Sequence, residues 1–260
     1  LGGTGGKDAG REKVLEFASA SPPATFVGYD RLRSETGIGA IEVDGDKALI
    51  KLEESPFYPE GGGQVSDSGR VSWPEGSAAV TDVVRVGDDQ VVEVSFSVEA
   101  GGSWPPEDGA TLEAEVDRKL RFRTMCNHTA THLLHAALRE RLGTHVHQAG
   151  SAVRPDKLRF DFSHGEAMTP EEIADVEDMV NGWIKDADPV RWINMEKDEA
   201  EKLGAMMLFG EKYGDWVRMV EVENVSRELC GGTHVSNTAE IGIFKIITET
   251  SSAANVRRIE

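Results

Sequence analysis

The chain has 260 residues, 39% hydrophobic and 28% charged, which suits one large domain or two small ones and excludes a disordered chain. A net charge of −18 argues against a general polyanion binder, because nucleic-acid affinity rests largely on Lys and Arg meeting phosphate. No run approaches the roughly 18 apolar residues of a membrane span, and two cysteines, Cys126 and Cys230, exclude a disulfide framework.

The opening LGGTGGKDAG is half glycine and reads as a linker over residues 1–24. It is not a phosphate loop: Leu1 and Asp8 stand where that motif needs Gly and Ser or Thr. The chain begins without Met and shows neither a signal peptide nor an Arg-rich transit peptide. It is therefore read as a cytoplasmic or organellar fragment of a longer protein, not a secreted one. Residues 25–117 alternate short apolar runs with Gly, Pro and Asp. AIEVDGDKALIKL turns at Asp44-Gly45-Asp46 as a hairpin, and VSWPEGSAAVTDVVRV and DDQVVEVSFSV continue the pattern. This predicts a small antiparallel barrel or sandwich. It is strongly acidic, with 6 basic against 20 acidic residues over 24–117.

The texture changes at Asp117. DRKLRFRTMCNHTATHLLHAALRERLG predicts one long helix stopped by Gly143. HVHQAGSAV and KLRFDFS predict a strand pair. Thr169, Pro170 and Glu172 spell a capping box ahead of a second amphipathic helix. PVRWINM, WVRMVEV and IGIFKIITET predict strands, and KDEAEKLG a short helix. Residues 118–260 are thus an α+β or mixed α/β core. With 19 basic against 23 acidic residues, this half is nearly balanced. Its cluster of Arg118, Lys119, Arg121 and Arg123 is a local patch able to meet phosphate.

The chemistry lies in four residues. His128 and His132 stand four apart on the long helix, so their imidazoles share a face. HxxxH alone also describes two solvated histidines. Cys230 and His234 in LCGGTHV sit across a glycine turn that lets a thiolate and an imidazole converge. Together the four make a Cys-His₃ donor set suited to Zn²⁺. A metalloprotease would need Glu after the first histidine, where Thr129 stands. Four protein ligands describe a closed structural site; three plus water describe a catalytic one.

His128-Thr-Ala-Thr-His132-Leu-Leu-His135 followed by Cys230-Gly-Gly-Thr-His234 resembles the editing domain of alanyl-tRNA synthetases and the free-standing AlaX deacylases. GTHVHQAGSAV, LRFDFSH, GAMMLFGEKYGD, VRRIE and the barrel segment SPFYPEGGGQVSDSG carry the same likeness, over about residues 25–260. Threonyl-tRNA synthetase editing domains share the ligand logic. The resemblance implies an N-terminal β-barrel over 25–117, then a zinc-dependent editing core over 118–260. It implies hydrolysis of tRNA(Ala) mischarged with Ser or Gly. It also implies an aminoacylation domain and a C-terminal oligomerisation domain elsewhere in the full protein. The chemical need is general: an alanine pocket cannot expel the smaller Gly, and rejects one added hydroxyl only about 10²-fold.

The resemblance further assigns Gln148 to the editing pocket and brings the loop Gly61-Gly62-Gly63-Gln64 near it. Cys230 and Gln148 are the expected catalytic residues, with Gln148, Thr129, Gly62, Gly63 and Gln64 expected at the substrate. Arg118, Lys119, Arg121 and Arg123 are the expected tRNA contacts, with Arg257 and Arg258 as second candidates. Thr131, His135, His145, His147 and His164 read as structural, and Cys126 as a buried thiol. Two other readings share this sequence: a free-standing deacylase, and a non-catalytic zinc-stabilised tRNA-binding module.

Overall fold

Alternating apolar positions in the first half build a closed barrel, seen in a computed structural model that describes residues 4–96, 106, 110–207 and 213–260. The chain divides into two compact units. One runs to Gly61 and resumes over Val65–Arg121; the other takes Gly62–Gln64 and Phe122–Glu260.

In the first unit, helix α1 (Thr4–Ser19) precedes strands β1 (Thr25–Phe26), β2 (Arg33–Asp44), β3 (Lys47–Leu52), β4 (Glu54–Ser55), β5 (Gly69–Trp73), β6 (Gly76–Val86), β7 (Asp89–Phe96) and β8 (Thr111–Val116). Six of them close an antiparallel barrel in the order β2-β3-β7-β6-β5-β8. The predicted hairpin turns where expected: Asp44 pairs with Lys47, and Gly45 takes φ +63°, the left-handed region glycine enters freely. Ile50, Leu52, Val71, Val92, Val94 and Leu112 fill the barrel.

Helix α1 corrects the reading of residues 1–24 as linker. Val14, Phe17 and Ala18 recur at helical spacing and bury together with Val91. The glycine-rich opening hid that stripe.

The second unit carries most of helix α2 (Arg118–Leu142), then β9 (Gln148–Val153), β10 (Leu158–Ser163), α3 (Pro170–Asp186), β11 (Val190–Glu196), α4 (Lys197–Lys202), β12 (Trp216–Val222), β13 (Ser226–Leu229), a 3₁₀ turn (Thr238–Ile241), β14 (Glu249–Ala253) and β15 (Val256–Ile259). One sheet runs β14-β15-β10-β9 and another β11-β12-β13. The chain is thus α+β. The Asp117 carboxylate accepts from the backbone N–H of Lys119 and Leu120 and so starts α2. Gly143, at φ +118°, lies just past its end. The capping box of α3 is present as predicted, with Thr169 and Glu172 each satisfying the other's backbone.

Of IGIFKIITET only Glu249 and Thr250 are strand, the start of β14; residues 242–248 are not. Phe244 and Ile246 alternate inward, but their backbone bonds go to side chains of α3. Asn181 exchanges two bonds with Phe244, and Glu177 accepts from the Ile246 N–H. Burial has strand period at Phe244 and Ile246, while their N–H groups bond to side chains; backbone pairing with Glu260 begins only at Ile247 and Thr248. Residues 208–212 of GAMMLFGEKYGD lie outside the described residues.

Candidate metal centre

From His128 to His135 every residue of α2 is buried. A helix stretch this polar needs a partner for each side chain, and those partners define the site. The four predicted ligands converge: one donor atom each of His128, His132, Cys230 and His234 lies within 4.8 Å of the others. Cys230 Sγ stands 3.4 Å from Nε2 of both His128 and His234. Tetrahedral bonds of about 2.0–2.3 Å put neighbouring ligand atoms about 3.5 Å apart, so the donor set fits a divalent ion such as zinc.

The outward nitrogens of His128 and His234 are hydrogen-bonded, while that of His132 faces a carboxylate beyond hydrogen-bond distance. The amide oxygen of Gln64 lies 2.7 Å from His128 Nδ1 and accepts from the Thr233 backbone N–H at 2.9 Å. Because a backbone N–H only donates, that atom is the oxygen, and His128 carries its proton on Nδ1. Its Nε2 lone pair is left facing the cluster. Thr129 Oγ1 accepts from the Val235 N–H and lies 3.1 Å from His234 Nδ1, which orients that ring in the same way. Behind His132 stands the buried Glu228, 3.9 Å from His132 Nδ1 and 3.2 Å from His135 Nδ1. Glu228 and the structural role of His135 complete a layer of orienting groups.

Burial alone would push the Cys230 thiol up. The three surrounding imidazoles instead hold it well below its ordinary value, which favours the thiolate. Burial and then His128 drive the His234 pKa well down, keeping that ring neutral. Burial opposes charge on His132, but Glu228 and Cys230 outweigh it and raise it to about 9. Glu228 is lowered against its own burial by His132 and His135.

A small pocket of about 60 Å³ opens beside the cluster, lined by Gly62, Thr131, His132, Gln148, Ser151 and Cys230 among others. It has room for a few waters or a small amino-acid side chain. The expected substrate residues divide here. Gln148 and Gly62 line the pocket, and Gln148 Nε2 donates to Ser151 Oγ at 3.2 Å. Gly63 takes φ +80° and its carbonyl accepts from the Val153 N–H. Gln64 and Thr129 are fully buried and spent on His128 and His234. They position ligands and do not face substrate. Thr131 bonds back to the Asn127 carbonyl yet borders the pocket.

The basic patch also divides. Arg118, Lys119 and Arg123 are exposed. Arg121 is 2% exposed and its guanidinium is consumed by Asp67 and the carbonyls of Gly28 and Pro56, which removes it as a phosphate contact. Arg257 and Arg258 are paired with Glu249 and Asp161. His145, in the turn ahead of β9 rather than on a strand, stacks on His164, just past the end of β10, with 2.9 Å between ring nitrogens. Cys126 is half-buried, and burial followed by Glu240 pushes its thiol up to about 11.

Sequence reasoning missed Glu228. The strand period was a usable signal, since residues 228 and 230 lie two apart and share a face. Gln64→Ala should lower metal affinity about 10–100-fold, as loss of an orienting partner typically does. Competition with a chromogenic chelator measures it, and affinity equal to that of the unaltered chain would show that Gln64 does not hold His128.

Comparison with known proteins agrees with this geometry. Residues 217–260, which include Glu228, Cys230 and His234, match the family described as threonyl and alanyl tRNA synthetase second additional domain. The alanine–tRNA ligase of Thermotoga petrophila is 46% identical over 97% of this chain and 30% of its own length. That of Oceanobacillus iheyensis is 46% identical over 94% and 28%, and that of Chlorobaculum tepidum 48% over 94% and 29%. The chain spans about 30% of the length of the curated relatives it matches. Over nearly all of its length, then, this chain is similar to one part of the alanine–tRNA ligases, and its residues 217–260 match the threonyl and alanyl tRNA synthetase second additional domain.

Proposed function

We propose that the chain is the editing region of an alanine–tRNA ligase, hydrolysing tRNA(Ala) mischarged with Ser or Gly. The observation that carries this reading is the buried Cys-His₃ set opening onto a pocket of side-chain size. In the reaction, water adds to the ester carbonyl and the bond to the ribose oxygen breaks. Free amino acid and the uncharged 3′ end are released. A zinc ion held by His128, His132, Cys230 and His234 would supply Lewis-acid polarisation of the ester. The chain's own groups do the rest. Gln64 and Thr129 hold two of the rings, and the Glu228 carboxylate faces the third. Gln148 and Thr131, at the pocket wall, offer polar atoms for a serine hydroxyl or a ribose. Gln148 cannot titrate, so its role is to position and not to move a proton.

Phosphate contacts fall to Arg118, Lys119 and Arg123, the members of the patch left exposed. With so few cations on so acidic a chain, tRNA binding should be weak, with a salt slope worth only a few contacts at about 0.7–0.9 log units each.

The test is hydrolysis of Ser-tRNA(Ala), Gly-tRNA(Ala) and Ala-tRNA(Ala) by the metal-loaded chain and after chelation. Hydrolysis of the first two, sparing of the third and loss on chelation are expected. Metal bound at one ion per chain with no hydrolysis would instead assign a structural zinc in a tRNA-binding module.

A further inference from the structure

The face of β11 and β12 nearest the metal loop carries two exposed tryptophans that the ligand chemistry leaves unused, and an arginine that links them to that loop. In this antiparallel pair Trp192 stands opposite Val220, Asn194 opposite Arg218, and Glu196 opposite Trp216. Side chains alternate faces along a strand, so all six project to one side. Across β13, Glu228 pairs with Val220. That is the same side again, and Glu228 reaches His132 and His135 from it. One end of this face therefore backs the metal centre. The other end, with Trp192 at 38% and Trp216 at 69% exposure, meets solvent.

Arg218 joins the two ends. Its Nη1 donates to the carbonyls of Cys230 and Gly232 at 2.9 and 2.8 Å, holding the turn that presents the thiolate. Its guanidinium lies 5.1 Å from the centre of the Trp192 ring, stacked as a cation on the aromatic face. Trp192 is thus fixed one guanidinium away from the ligand loop, with part of its ring in water. A large aromatic side chain left partly in solvent buries little when the chain folds. It offers a rigid, flat surface to an incoming ring.

We propose that the Trp192–Arg218 pair is a stacking platform for an unpaired base at the acylated end of the RNA, with Trp216 at the platform's outer edge. The proposal rests on the editing reading and adds the residues that recognise the nucleotide. An aminoacyl ester that reaches the metal centre brings its own nucleoside with it. Single-stranded ends are read by stacking on aromatic and guanidinium planes. Four strand residues separate the pairing position of Trp192 from Trp216, about 13 Å at the usual rise. The outer edge is therefore suited to a neighbouring base and not to the same one. Arg218 and Glu196 are the charged residues on this face of the two strands, so stacking, and not a dense positive field, carries the recognition.

The test uses the 260-residue chain and a short single-stranded RNA ending in CCA, with binding read by tryptophan fluorescence and by competition. The oligonucleotide should quench the fluorescence. Trp192→Ala should weaken its binding about fivefold or more, the effect of removing one base–aromatic stack, and Trp192→Phe should restore most of it. On a seryl-RNA substrate Trp192→Ala should raise KM more than it lowers kcat, with zinc content unaltered. Binding and KM both unmoved by Trp192→Ala, while hydrolysis persists, would overturn the platform and leave the editing reading standing. Binding weakened by Trp192→Ala in a chain that hydrolyses nothing would keep the platform and sink the editing reading. Concentration-dependent self-association lost on Trp216→Ala, with no response to RNA, would assign the face to a second copy and overturn the proposal.

Discussion

Cys230→Ala should reduce bound zinc from about one ion per chain to near zero, abolish hydrolysis of mischarged tRNA, and leave the chain folded. The effect on metal affinity should exceed the 10–100-fold typical of losing an outer partner, because Cys230 is the one anionic ligand among three imidazoles. Its Sγ also lies 3.4 Å from Nε2 of both His128 and His234. The fold survives because the core of this unit lies elsewhere, in Leu133, Leu134, Phe160, Phe162, Val176, Val180 and Val220. Cys230 only packs against the edge of this cluster, which its other members bury. The same reasoning gives the pH dependence. The Cys230 pKa is lowered in the folded chain, so its contribution is present above its unfolded value and is lost as pH falls through the lowered one. Metal should therefore be released on acidification, not at mildly alkaline pH. Metal analysis after gel filtration, with circular dichroism of the same fractions, checks both statements. A Cys230→Ala chain that keeps stoichiometric metal and full activity would remove Cys230 from the ligand set. One that unfolds would make the metal a structural element.

Both pairs of candidate metal ligands are legible in the sequence because their signals are local. Four residues on a helix fix a shared face, and two glycines between Cys230 and His234 announce a turn. The barrel was legible for the same reason, through period-2 runs between turn residues. What stayed hidden depends on partners distant in sequence. Gln64 was read as a loop residue at the substrate, yet its oxygen belongs to His128 and Thr233. Nothing near position 64 says that a histidine 64 residues onward needs an acceptor. Thr129 was read as substrate-facing because it stands beside a ligand. Helix geometry turns it about 100° from His128, towards His234. Phe244 and Ile246 show why alternation alone cannot define a strand. The pattern reports which side is buried, and the backbone is satisfied by Asn181 and Glu177 instead of a neighbouring strand.

Arg121→Ala should destabilise the barrel unit by about 3–5 kcal/mol, the range for removing one partner of a buried ion pair. The guanidinium is 2% exposed. It donates through Nε to both Asp67 oxygens at 2.9 Å, through Nη1 to the Gly28 carbonyl at 2.7 Å and through Nη2 to the Pro56 carbonyl at 3.0 Å. Asp67 in turn accepts from the Tyr58 backbone N–H at 2.7 Å. Truncating the arginine strands one carboxylate and two carbonyls in a dry interior. Asp67→Asn should cost less, since the amide oxygen still accepts while the charge is lost. Urea unfolding of both variants measures the two effects, and a cost below about 1 kcal/mol for Arg121→Ala would show that the pair is not the buried link described. The result bears directly on the RNA surface. In sequence Arg121 sits amid Arg118, Lys119 and Arg123 and looks interchangeable with them, but a charge reversal there would unfold the barrel unit and mimic a loss of binding. Reversing Arg118, Lys119 or Arg123 should instead leave the urea midpoint in place and lower the salt slope by about 0.7–0.9 for each contact removed. If all three reversals leave the slope untouched in a chain of unaltered stability, phosphate meets the protein on a surface other than the exposed start of α2.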